Sequence, residues 1–138
     1  MNLSEPYLQK VFINRTSDIY SAQKRRARKY RQEIQYSLEA FREWVLESEI
    51  CTYCRVRLTV QTFSADHNLP VSRVSGPAAW SIGNIAICCG PCNLAKGNLS
   101  GGEFERLLQA IKDFAPVAQQ SILARLRAGA RKCAGKGW

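Results

Sequence analysis

Two Cys-x2-Cys pairs, Cys51-Thr52-Tyr53-Cys54 and Cys89-Gly90-Pro91-Cys92, stand 34 residues apart in a chain of 138. Each pair presents two thiolates on one short turn. Four thiolates at ~2.3 Å satisfy one tetrahedral zinc ion. The second pair must then fold back onto the first, and the gap has room for a loop and a hairpin. The N-terminus, Met1 to Pro6, shows no basic stretch leading into an apolar one. The chain is therefore expected in the cytoplasm, where paired cysteines are metal ligands before they are disulfides. Cys89-Gly90-Pro91-Cys92 could alternatively be a redox motif of thioredoxin type, but that needs a parallel βαβ frame the sequence does not suggest. Cys88 competes with Cys89. The two pairs match each other only if Cys89 is the ligand, which leaves Cys88 as a buried thiol at a strand end. Cys133, in the tail, is expected to be free.

Charge narrows the partner. Twenty Lys and Arg against eleven Asp and Glu give +9. A balance this basic is the electrostatic footprint of a nucleic-acid binder. The excess lies in two flanks, +5 over residues 1–36 and +4 over residues 101–138. Its densest run is Lys24-Arg25-Arg26-Ala27-Arg28-Lys29-Tyr30-Arg31, six basic residues in eight. As a helix this run would be basic on nearly every face and has no stripe with which to join a core. It reads as a solvated segment or as a phosphate-contacting arm. The longest apolar run, Ile85 to Cys89, is far short of the ~18 residues of a membrane span. One domain is expected over 1–138.

The flanks are helical in pattern. Ser37 can cap a helix carrying Leu38, Phe41 and Val45. Ser100-Gly101-Gly102 precedes a helix over Glu103 to Phe114, striped by Phe104, Leu107, Leu108 and Ile111. Pro116 ends it and opens another over about 117–131, with residues 131–138 as a loose tail. These stripes are core and carry no chemistry. The centre, 51–99, has two short β-prone runs, Arg57–Phe63 and Ile85–Cys88, which predict a small β element.

The one histidine, His67, follows Asp66 and precedes Pro70. A lone histidine is usually structural, but this one stands between two knuckles. In order, the chain supplies Cys51 and Cys54, Asp66-His67, Pro70, Asn84, Cys89 and Cys92, Asn93, then Lys96-Gly97. With that ordered set, residues 51–97 resemble the HNH endonucleases of the ββα-metal superfamily. The third letter of the motif is here Asn93 rather than histidine, which changes a ligand type.

The resemblance implies a small α+β protein: a zinc-stabilised ββα-metal centre over 51–99 flanked by helices over 1–50 and 100–138. It implies metal-dependent cleavage of double-stranded DNA, leaving 5′-phosphate and 3′-hydroxyl ends. His67 would be the general base, since an ordinary imidazole, with a pKa near ~6.5, is mostly free to accept a proton at neutral pH. Asp66 and Asn93 would hold one Mg2+ or Mn2+ ion. Asn84 would fix the loop behind the base, or is a plain turn asparagine. Lys96 would contact a phosphate, or is solvated. Zn2+ on Cys51, Cys54, Cys89 and Cys92 would be structural, since four thiolates leave no open position. Lys24, Arg25, Arg26, Arg28, Lys29 and Arg31 would track the DNA backbone. The rival reading is a non-catalytic four-cysteine zinc module that binds nucleic acid. It accounts for cysteines and charge but not for Asp66, His67 and Asn93.

Overall fold

The computed structural model describes residues 1–134, with side chains through Gly129. The architecture is α+β: five α-helices among the described residues around one two-stranded antiparallel sheet. Helix α1, Pro6–Lys29, opens on a proline whose missing N–H costs nothing at that position. Its last turn carries Arg26, Arg28 and Lys29, which suit the negative end of the helix dipole. Arg31 then turns the chain at φ +56°. Helix α2, Leu38–Glu47, is capped as expected, the Ser37 side chain accepting from the Ala40 N–H. It packs on α1 and joins the sheet through the Trp44 indole, which donates to the Ile85 carbonyl at 2.9 Å.

The strands are β1, Phe63–His67, and β2, Ile85–Cys89, paired from Phe63↔Cys89 to His67↔Ile85. The first strand thus begins where the β-prone run Arg57–Phe63 was expected to end. Leu58 and Val60 do point inward, which is the alternation the sequence displays. Thr59 and Thr62 break it: the Thr59 N–H donates to Thr62 Oγ1, and the Thr62 and Phe63 N–H groups both return to the Thr59 carbonyl. That turn uses the backbone groups a ladder would need, and only an isolated Ile50↔Arg57 bridge remains.

After β2 comes the short helix α3, Gly90–Lys96, which packs on both strands and on α5. Helix α4, Gly101–Ile111, starts two residues before the expected Glu103 and ends three before the expected Phe114; the early start follows because Ser100 and Glu103 close a capping box around the two glycines. Helix α5 runs Pro116–Ala134, so the expected loose tail is helical at 131–134; residues 135–138 and the Cys133 side chain lie outside the described part.

Phe41, Phe63, Ile87 and Phe104 centre the main core between α1, α2, the sheet and α4. A second cluster joins Ala27 to Val71, Ala79 and Trp80. Here the structure corrects the sequence reading of the basic run. Ala27 is fully buried while Lys24, Arg25, Arg26, Arg28, Lys29 and Arg31 are exposed. The one small residue in the run lets the helix lie flat on the second cluster, and the cations fan out around it. No helix among the described residues is long and apolar enough to cross a membrane.

Candidate functional site

Sulfur geometry comes first. The Sγ atoms of Cys51, Cys54, Cys89 and Cys92 all lie within 4.8 Å of one another. A tetrahedron with metal–sulfur distances of ~2.3 Å has edges of about 3.8 Å. The Cys54 and Cys89 sulfurs are 3.8 Å apart. The four cysteines are positioned to hold one metal ion. Thr52 donates through both its N–H and its hydroxyl to the Ile87 carbonyl, which ties the first knuckle to the strand leading into the second. The Cys89 N–H donates to Cys51 Sγ at 3.3 Å. The Cys92 thiol, ahead of nearby backbone N–H groups, lowers the Cys51 pKa against the opposing effect of burial. A sulfur held as thiolate is what a metal needs. Cys88 stands outside the cluster, fully buried, and burial raises its pKa.

The hairpin has two faces. Phe63, Ala65 and His67 are buried on one; Ser64 and Asp66, half-buried, alternate onto the other. Helix α3 lies on this second face. Asn93 Nδ2 donates to Ser64 Oγ at 2.7 Å and toward the Ala65 carbonyl at 3.4 Å. One turn later, Lys96 Nζ approaches Asp66 Oδ2 at 2.9 Å. The contact is one of charge rather than of a well-aligned hydrogen bond, since Nζ finds no acceptor at hydrogen-bonding angles among the described residues. Tyr53, inside the first knuckle, donates its hydroxyl to the same Oδ2 at 3.0 Å. Burial raises the Asp66 pKa, and Lys96 and Tyr53 pull it back.

Lys96 is therefore not the solvated lysine that the sequence allowed. Its side chain is 1% exposed, and it faces a carboxylate. Asp66 and Asn93 are oxygen donors of the kind a hard cation takes. Asn93 uses its Nδ2 in its hydrogen bonds, the Asp66 carboxylate takes the Tyr53 hydroxyl and the His67 backbone N–H, and the ammonium against Asp66 shows that the pocket accommodates positive charge. Mg2+ keeps several waters and takes few protein ligands, as two such oxygens require.

His67 is only 3% exposed, packed edge-on against Trp80 with ring centres 5.1 Å apart. Its Nε2 is buried without a partner among the described residues. Burial, then Arg26 and Lys96, push its pKa down to about 4. The sequence suggested an imidazole near its ordinary value; the fold instead keeps it firmly neutral. Arg26 belongs to the basic run, and Ala27 beside it packs with Trp80. Trp80 thus lies between the imidazole and the cationic end of α1.

Asn84 is more than a turn residue. Its Oδ1 accepts from the Leu69 N–H at 2.8 Å, and its Nδ2 donates to the carbonyls of Leu69 and Ala79 at 3.0 and 2.9 Å. Its own carbonyl accepts from the Asn68 N–H at 2.8 Å. The loop leaving His67 is fixed by this one side chain and by the Gly101 N–H donating to Asn68.

Two residues of the site escaped sequence reasoning. Tyr53 had a signal, as the one aromatic inside a knuckle. Trp80, alone in a turn-rich stretch, had none. Comparison with known protein families gives no match, and no curated protein is significantly similar to the chain.

Proposed function

We propose that the chain is a metal-dependent DNA endonuclease of HNH type, hydrolysing phosphodiester bonds with His67 as general base. One observation carries the reading: a hairpin and a helix, joined behind a four-sulfur cluster, bring Asp66 and Asn93 to one face, while the adjacent strand position turns a buried histidine, its Nε2 unpartnered among the described residues, onto the other. Zinc is the ion best suited to the four sulfurs, and it clamps α3 to the hairpin. Asp66 and Asn93 would hold a hard divalent ion, which when bound would supply Lewis-acid stabilisation of the phosphate and the leaving 3′-oxygen. His67 takes the proton of the attacking water on Nε2. Asn84 keeps the His67 loop from drifting. The cations around Ala27 hold the duplex by its phosphates.

The second reading, a non-catalytic zinc module for nucleic acid, is favoured by the Lys96–Asp66 ion pair, which occupies the carboxylate. Incubation of purified protein with supercoiled plasmid and Mg2+ or Mn2+ separates the two. Nicked or linear product that disappears in His67→Ala supports the nuclease. DNA binding without cleavage in any divalent ion leaves the module.

A further inference from the structure

We propose that the Lys96 ammonium is a built-in counter-ion of Asp66 that competes with the divalent cation, so that the ion-free site is closed by its own charge. The inference rests on the reading above, that Asp66 and Asn93 take such an ion. Lysine is almost never fully buried unless paired. Here it is 2% exposed, and Asp66 is its one ion-pair partner among the described residues. The chain's other ion pair there, Arg73–Glu103, lies in the open with side chains 48% and 32% exposed. A buried ammonium is costly to strand, so the fold places Lys96 on Asp66 for a reason stronger than solvation.

The two partners differ in freedom. Asp66 has a short side chain on a paired strand, and Tyr53 holds the same oxygen. Lys96 is the last residue of α3, on a flexible four-carbon stem, with three N–H donors and no aligned acceptor. The lysine is the side that yields. A divalent ion arriving at Asp66 meets a like charge about one contact away, and in a site this dry the repulsion is weakly screened. Loading the ion expels the ammonium from the carboxylate. The intrinsic affinity of the site for the ion is lowered by the same interaction.

Two measurements on the zinc-loaded full chain test this. The first is Mn2+ binding, read from the signal of free Mn2+ by electron paramagnetic resonance, in the parent and in Lys96→Met, which keeps an unbranched stem. The second is acetylation of Lys96 in the parent with and without saturating Mn2+, read by peptide mass spectrometry. The expected result is a Kd for Mn2+ about tenfold or more lower in Lys96→Met, and Lys96 labelling that rises on Mn2+ loading. Equal or weaker Mn2+ binding by a folded Lys96→Met, with labelling unchanged, overturns the competition and leaves the metal reading intact. No Mn2+ bound by either protein overturns both. If Lys96→Met loses zinc and unfolds, the labelling result decides alone.

Discussion

His67 is the residue on which most turns, and its burial gives it a measurable signature. Because it is the chain's one histidine, its imidazole resonances can be followed without assignment. An ordinary histidine is about nine-tenths protonated at pH 5.5. His67, with its pKa pushed down to about 4, should still be neutral there. A midpoint near 6.5 by NMR would contradict the packing against Trp80. The sign for stability follows from linkage. The folded state binds fewer protons than the unfolded between about 4 and the ordinary 6.5, so the contribution of neutral His67 is complete above about 6.5 and is lost as the pH falls through that window. The activity limb from this base should likewise fall near pH 4, leaving a plateau from pH 6 upward. His67→Ala should cut cleavage about 100- to 10,000-fold while zinc and DNA binding persist. Asp66→Ala and Asn93→Ala should also lose activity, and raised Mn2+ should recover part of it in these two but none in His67→Ala.

At the scale of elements, the four-cysteine cluster holds together pieces too small to stand alone, since an isolated hairpin is marginal in water. Ser at Cys51, Cys54, Cys89 or Cys92 should release the metal and unfold the hairpin and α3, because structural zinc contributes about 10–16 kcal/mol of apparent binding energy. Elemental analysis and circular dichroism check both halves of this. Ser at Cys88 should keep one metal per chain, since that thiol stands outside the cluster. The pairing of the knuckles was readable because two Cys-x2-Cys spacings match only through Cys89. The Ser37 cap was readable because capping is local chemistry, whereas the glycines after Ser100 hid the cap there and moved the expected helix start to Glu103. The position of β1 was not: alternation at Leu58 and Val60 signals burial, and only the Thr59–Thr62 hydrogen bonds decide that this burial occurs in a turn. Nor could the sequence show that Lys96 faces inward, because a lysine beside glycine reads as solvent-facing until the helix is laid on the strand.

Over the whole molecule, α1 is a strut of about 36 Å, from 24 residues at 1.5 Å each. Phe12 and Thr16 fix its middle in and beside the main core, and Ala27 fixes its far end in the second cluster. The cations around Ala27 are therefore presented on a rigid element next to His67. Replacing Lys24, Arg25, Arg28 and Lys29 by Gln should weaken DNA binding and flatten its salt dependence, each lost phosphate contact lowering the slope by about 0.9. A binding titration across salt concentrations checks this, and an unchanged slope would place the duplex elsewhere. Arg26 is left in place there because it also acts on His67. In a survey of every single substitution across 24–31, the usual expectation for a basic segment would invert. The charged positions should tolerate exchange between Lys and Arg and lose function gradually as neutral residues accumulate. Position 27, the buried one, should reject almost everything larger than serine, with Ala27→Leu costing about 1–3 kcal/mol by overpacking. A map of tolerance would then show one sharp gap in an otherwise permissive stretch, and that gap would mark where the segment touches the rest of the protein.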